Sequence, residues 1–483
     1  MAKFMPTLIL AIVFAESASG LHAASEPVAR PNVLFIAVDD LRPDFGCYGN
    51  VDVKSPNLDR LAREGLLFRN AYCQFALCMP SRSSLLSGYR PESIKKTGRV
   101  GGQVPANTVT LPQLFRNNGY VTVSAGKVYH ENDDDPAAWV RRFTDTFVAE
   151  GRWCSGYCSG YQLESNRALV QNYLEGKRRQ GLPASSISEI TDTPDESTPD
   201  GIVARRAIEE LQKFKQSGEP FFLAAGFYRP HMPLTAPRKY WEMYPRESVR
   251  LPADFRMPGD GISRYDWDEV RRYGDCPWEG PMPEDKAREI VRGYRASVSF
   301  VDAQIGKVLD ELRRLELDRN TVVVVWSDNG WSLGEHGLFS KYTNYETSTH
   351  VVLMFKAPWL PPQPATSALV ELVDIYPTLA ELCHLRAPEY VEGTSVVRLL
   401  SDPRCPWKTG AFSCLHDDHE RTIRTERYRL VEHPDGRLEL YDHEADPAED
   451  HNLAQDPRFS ATIGQLQNSL NAGWREAVPA MAK

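Results

Sequence analysis

A chain of 483 residues, 42% hydrophobic and 25% charged, has the balance of a folded globular protein. It is long enough for one large α/β domain with an appendage, or for two to three domains. Its net charge of −9 argues against nucleic acid as a partner, because phosphate backbones need a basic surface. An acidic protein can still hold an anion in a local basic pocket.

In chain order, the sequence opens on an export signal. Lys3 gives a positive start, Phe4 to Ala15 a short apolar run, and Leu21-His22-Ala23-Ala24 a stretch suited to cleavage. Residues 1–24 are therefore set apart as a signal peptide, with the mature protein exported. The run is too short for a membrane span, and no later segment is long and apolar enough.

Asn32 to Val38 is almost wholly apolar, which predicts a strand buried on both faces. Ser55-Pro56 starts a helix that stops before Gly65. Leu111 to Asn118 reads as a helix ended by Gly119, followed by a strand from Tyr120 to Ala125. Ile202 to Gln216 is a predicted helix and Pro220 to Phe227 a predicted strand. A long helix from about Glu289 to Leu315 leads into Thr321 to Trp326, a second strand buried on both faces. Val351 to Phe355 is a further strand and Leu372 to Leu385 a helix. Strands alternating with helices predict an α/β fold with a mostly parallel sheet. After about residue 405 the pattern changes. Thr422 to Val431 and Leu438 to Tyr441 read as a hairpin around Pro434-Asp435-Gly436, with an amphipathic helix from about Pro457. The division expected is residues 25–405 and a smaller α+β subdomain over 406–483. Residues 130–200 and 240–290, rich in Pro, Gly, Asp and Ser, read as long functional loops.

The nine cysteines are an odd count for an exported chain. Cys154/Cys158 and Cys405/Cys414 lie in short loop-like stretches and are expected as local disulfides; small buried residues are the alternative. Three elements carry chemistry. Asp39-Asp40 directly follow the first buried strand, at the sheet edge where open α/β folds bind ligands. Two adjacent carboxylates there are costly without a cation. Asp328-Asn329 follow the second buried strand in the same way. Two strands that each deliver two oxygen ligands define a hard-cation site, suited to Ca²⁺ or Mg²⁺ rather than Zn²⁺. Taken singly, the first pair also reads as a helix cap and the second as a turn. Third, Cys78-Met79-Pro80-Ser81-Arg82 opens a short helix that stops at Gly88. That places Cys78 beside free N–H groups that favour an anion, though a lone Cys also reads as core or half a disulfide.

Cys78-x-Pro80-Ser81-Arg82 with Leu86 and Gly88 resembles the type I sulfatase signature, and the resemblance extends over nearly all of the mature chain. It is strongest toward iduronate-2-sulfatases. Pro31 to Pro43, Gly126-Lys127-Val128-Tyr129-His130, Arg229-Pro230-His231-Met232-Pro233 and Ser327-Asp328-Asn329-Gly330-Trp331 through Gly337, with Lys341, match successive active-site segments of that family; Arg424-Thr425 and Tyr428 resemble its C-terminal subdomain. The resemblance implies an alkaline-phosphatase-like fold. It implies that a separate maturation enzyme oxidises Cys78 to formylglycine (3-oxoalanine), whose hydrate uses one hydroxyl to attack sulfur and the other to release sulfate. Asp39, Asp40, Asp328 and Asn329 would hold Ca²⁺, with the residue at 78 completing the shell. Arg82 and Lys127 would hold the hydrate and the sulfate. His130 would act as base in sulfate release. His231 and Lys341 would bind sulfate and help protonate the leaving oxygen. Trp331 would contact the sugar.

Some positions depart from that pattern. Asn329 and Tyr228 stand where vertebrate iduronate-2-sulfatases have His, Tyr89-Arg90 follows Gly88 where Arg is usual, and Val351-Val352 replaces Val-Pro. Each basic residue also has a plain reading: a cap for Lys127, an ion pair with the Glu131 to Asp135 loop for His130, a rigid turn for His231 and a surface lysine for Lys341. The expected activity is hydrolysis of a sulfate ester on a sugar, the 2-O-sulfate of a uronate in a polysaccharide. The alternatives are a phosphomonoester or phosphonate hydrolase of the same fold, or an inactive carbohydrate-binding relative.

Overall fold

The computed structural model describes residues 30–94, 104–105, 107–130, 134–143, 148–149, 152–153, 160–174, 185–252, 255, 269–415 and 419–478. The export signal and the Cys154/Cys158 pair lie outside the described residues.

The apolar runs form the centre of a nine-stranded sheet. Its strands are β1 (Asn32–Val38), β2 (Leu66–Tyr72), β3 (Val121–Gly126), β4 (Arg141–Phe143), β5 (Phe221–Phe227), β6 (Thr321–Ser327), β7 (His350–Val351), β8 (Leu353–Lys356) and β9 (Thr366–Glu371). The order is β7-β2-β8-β6-β1-β5-β3-β4, with β9 also paired to β2. From β6 to β4 all neighbours are parallel. β8 runs antiparallel to both β6 and β2, and β7 antiparallel to β2. β1 lies inside the sheet, so both its faces must be apolar. Leu34, Ile36 and Val38 enter one core, while Val33, Phe35 and Ala37 enter the other.

Helices cover both faces. Leu58 and Leu61 of α1 (Pro56–Glu64), Val203, Ala207 and Leu211 of α4 (Pro199–Ser217), and Val298, Val301 and Ile305 of α5 (Glu284–Arg314) fill the first core. Leu85 and Leu86 of α2 (Cys78–Ser87), Leu111 and Phe115 of α3 (Leu111–Asn117), and Leu379 of α6 (Ile375–Leu382) fill the second. A separate antiparallel sheet, β10 (Ala411–Leu415), β11 (Glu420–Arg424), β12 (Tyr428–Glu432) and β13 (Leu438–Asp442), packs with helix α7 (Ser460–Ala472) on its own small core. Among the described residues, no helix is long and apolar enough to cross a membrane.

Several expectations need correction. α4 starts earlier than expected, because the Thr198 hydroxyl accepts from Gly201 N and Pro199 opens the first turn. α5 likewise begins at Glu284, with Pro283 before it. The strand expected over Val351 to Phe355 is two pieces, both paired to β2, of which only β8 also pairs β6. Thr422 to Val431 is not one hairpin arm: Thr425 N donates to Tyr428 O at 2.8 Å and turns the chain between β11 and β12. The Cys405–Cys414 disulfide is not formed. Cys405 is a free thiol beside the second core, and Cys414 is buried in β10 against Phe75 and Leu415.

Candidate active site

Parallel pairing of β1 and β6 sets Val38 opposite Ser327. The next residues, Asp39-Asp40 and Asp328-Asn329, therefore leave the same sheet edge side by side. All four are at most 1% exposed. Asp40 N donates to Asp328 Oδ1 at 3.0 Å, and Asn329 Nδ2 donates to Asp40 Oδ1 at 2.8 Å. Asp40 holds a positive φ of 58°, which Asp tolerates better than most residues. Tyr294 OH from α5 secures its carbonyl at 2.6 Å.

α2 brings Cys78 into this cluster as its first residue. Its Sγ lies 3.6 Å from Asp40 Oδ1, and one ligand atom each from Asp39, Asp40, Cys78 and Asp328 falls within 4.8 Å of the others. One turn on, Arg82 is fully buried. Its guanidinium donates to Asp328 Oδ2 (2.7 Å), Asp39 Oδ1 (3.0 Å) and the carbonyls of Lys127 (2.7 Å) and Val128 (2.9 Å). Arg82 thus binds three separate segments together.

Lys127 arrives from the end of β3, where the backbones of β3 and β5 nearly touch. A Cβ at Gly126 would meet Gly226 O at 2.1 Å, and φ there is +78°, so only glycine fits. The Lys127 ammonium reaches Asp39 Oδ2 at 2.5 Å. Lys341 Nζ bonds both Asp40 oxygens at 2.7 Å, and its charge sits 5.0 Å above the Trp331 ring. Trp331 itself is only 2% exposed. His231 Nδ1 donates to Met232 O at 2.6 Å; a carbonyl can only accept, so this nitrogen carries the proton. Nε2 then faces Glu269 Oε1 at 3.6 Å and Asp40 Oδ2 at 3.8 Å. His130 lies within electrostatic reach of Lys127, Asp39, Arg82 and Lys341.

The sequence reading missed Glu269. It is 1% exposed, and its Oε2 lies 3.3 Å from Lys341 Nζ. It stands in a stretch read as loop, with no motif around it, so only the folded arrangement reveals it.

The electrostatics suit a cation and an anion held side by side. Burial pushes Asp40 and Asp328 up to about 6, against the pull of Lys341 and Arg82 respectively. Burial also raises Asp39, but Lys127, His231 and Arg82 outweigh it and hold the carboxyl well below its usual range. Burial and the neighbouring Lys341 bring His231 down to about 4; burial and Lys127 bring His130 down to about 3. Burial, then Asp328 and Asp39, drive the Cys78 thiol well above its usual value. A reactive thiolate needs the opposite shift, so Cys78 is poorly suited to attack as a thiol. The Oδ1 of Asn329 is buried with no hydrogen-bond partner. Crowded carboxylates beside an orphan amide oxygen are a donor set that fits a hard divalent cation.

Comparison with known proteins gives the family. A family model described as Sulfatase matches residues 31–385, and one described as N-sulphoglucosamine sulphohydrolase, C-terminal, matches residues 334–476. The chain belongs to the sulfatase family, as its Cys78 signature implied, and is a sulfuric ester hydrolase. It is 34% identical to iduronate 2-sulfatase of Mus musculus, over 87% of this chain and 78% of that one. It is 36% identical to iduronate 2-sulfatase of Homo sapiens, over 78% and 70%. In fold it is similar to a protein solved with its substrate D-glucosamine-2-N,6-O-disulfate (TM-score 0.70, 21% identity, 92% of this chain and 97% of that one). It is also similar in fold to phosphonate monoester hydrolase of Agrobacterium radiobacter (0.69, 21%, 92% and 95%).

Proposed function

We propose that this hydrolase removes the 2-O-sulfate of a uronate in a sulfated polysaccharide, with Ca²⁺ held by Asp39, Asp40, Asp328 and Asn329 and with formylglycine made from Cys78. The observation that carries the chemistry is Cys78 at the start of α2, against the acidic cluster, with its thiol pushed away from ionisation. The sugar assignment is supported by the iduronate 2-sulfatase relatives at 34–36% identity. Export of the mature chain, the maturation enzyme as a partner, and division into 1–24, 25–405 and 406–483 complete the proposal.

When bound, calcium supplies a positive charge that polarises the sulfate, and the formylglycine hydrate supplies the attacking and releasing hydroxyls. The chain's own residues do the rest. Arg82 and Lys127 hold the side chain at 78 and the sulfate from one side. Lys341 and His231 hold the ester from the other side, and the Lys341 ammonium, rather than the unprotonated Nε2 of His231, gives its proton to the leaving sugar oxygen. His130 accepts a proton at residue 78 during sulfate release. Trp331 serves substrate binding through Lys341, whose ammonium it holds. Charge counting supports a monoanionic ester. Asp39, Asp40, Asp328 and Glu269 face Arg82, Lys127 and Lys341, one net negative charge. A divalent cation turns this to one positive, which a sulfate monoester cancels and a phosphate dianion over-compensates.

A panel of sulfated disaccharides with and without the uronate 2-O-sulfate tests the reading. Turnover confined to the 2-O-sulfated uronates supports it. Turnover of phosphate or phosphonate esters alone refutes it.

A further inference from the structure

After Lys341 the chain runs through Asn344, Tyr345 and Glu346 before entering β7. All three are fastened to the C-terminal region. Asn344 Nδ2 donates to Glu420 Oε1 at 2.9 Å, Tyr345 OH to Glu439 Oε2 at 3.3 Å, and Glu346 N to Glu449 Oε2 at 2.8 Å. Upstream on the same segment, His336 Nε2 donates to Ala448 O at 3.1 Å.

Glu420 on β11 and Glu439 on β13 lie two strands apart and are 3% and 2% exposed. Two carboxylates in so dry a place resist ionising together. His433 lies between them, its Nδ1 at 2.9 Å from Glu420 Oε2 and its Nε2 at 2.9 Å from Glu439 Oε1. Both ring nitrogens face acceptors, so the ring carries both protons. Burial pulls its pKa down, but the two glutamates outweigh burial and push it up to about 9. Asp435 is also within electrostatic reach of the ring, Arg437 is within reach of both glutamates, and Tyr441 OH donates to Glu439 Oε2 at 2.5 Å. A purely structural ion pair would only tie strands together. Here the remaining oxygen of each glutamate is spent on a residue three or four positions after Lys341.

We infer that the C-terminal sheet positions Lys341 in the active site, with His433 as the positioning residue that holds Glu420 and Glu439 in place to grip Asn344 and Tyr345. The inference rests on the role proposed for Lys341 and deepens it. It does not depend on which sugar is cut. A doubly hydrogen-bonded imidazolium between two buried carboxylates is lost as pH rises through the folded pKa, so the grip weakens on the alkaline side.

The test compares full-length calcium-loaded wild type, His433→Gln and Asn344→Ala on whichever sulfate ester of the panel the wild type hydrolyses. Hydrogen exchange of the amides over 341–349 is read alongside. His433→Gln is expected to lower kcat/KM about tenfold to a hundredfold, as loss of alignment does. It should also speed exchange over 341–349 and remove the alkaline limb of the pH–activity profile near pH 9. Asn344→Ala breaks the grip on the loop side while Glu420, His433 and Glu439 stay together, so it should give the same rate loss and faster exchange. If His433→Gln does not fold, Asn344→Ala decides. Wild-type kcat/KM and unchanged exchange in a folded variant overturn the inference. A wild type active on sulfate esters other than the uronate would sink only the sugar assignment.

Discussion

Replacing Arg82 by Leu should damage stability as much as catalysis. The side chain makes four hydrogen bonds, two of them to the buried carboxylates of Asp39 and Asp328. Leucine fills part of the volume but takes the charged donor from Asp328 and from two carbonyls, and leaves Asp39 with Lys127 alone. Removing one partner of a buried ion pair costs about 3–5 kcal/mol. The four bonds share one guanidinium, so they are not summed separately, and about 4 kcal/mol is the expected loss. That is a large share of the roughly 5–15 kcal/mol that holds a domain together. The assay is denaturant unfolding in the presence of a chelator and again with excess calcium. The loss should be full in chelator and smaller with calcium, because a bound cation takes over part of the charge compensation. Arg82→Lys should be intermediate, since an ammonium cannot span two carboxylates and two carbonyls. An Arg82→Leu protein within about 1 kcal/mol of wild type in chelator would refute this account, because that is all an exposed pair contributes.

Other outcomes follow from the same geometry. Cys78→Ala should abolish turnover while the unfolding midpoint changes little; retained activity would sink the formylglycine proposal. Asp39→Asn combined with Asp328→Asn should lose bound calcium, and unchanged metal content by elemental analysis would disprove the site. Gly126→Ala should misplace Lys127, because its Cβ would stand 2.1 Å from Gly226 O; a soluble variant with wild-type kcat/KM would contradict that. Burial raises Glu371, but Arg90 and Lys408 outweigh burial and hold it at about 2. Its folded pKa is below the unfolded value, so its stabilisation is present above about pH 4.5 and fades as pH falls toward 2. Glu371→Gln should flatten acid unfolding in that window, and an acid transition identical to wild type would count against it.

The legible parts of the fold were those where one physical demand dominates. β1, β5 and β6 are buried on both faces, so their apolar runs are unbroken. β2 was missed because its middle, Arg69 and Asn70, reaches solvent and breaks the pattern. The pairs Asp39-Asp40 and Asp328-Asn329 could be read because each directly follows such a run. Glu269 could not, because its place beside Lys341 depends on contacts far along the chain. Trp331 was expected to touch sugar, yet the fold buries it beneath Lys341. The C-terminal strands were read as an appendage because no local signal tells that Glu420 and Glu439 reach back to Asn344 and Tyr345.

The pairing of β1 with β6 also sets an order of events during synthesis. The strand that carries Asp39 meets β5 first, but its other neighbour ends at Ser327, so the acidic cluster cannot assemble on a partly made chain. Cys78 emerges about 250 residues before Asp328. At roughly 5–20 residues per second that interval is roughly 12–50 s. Once the sheet closes, the side chain is only 4% exposed. The conversion proposed for Cys78 would therefore have to take place before the sheet closes, for which synthesis alone allows at least that interval.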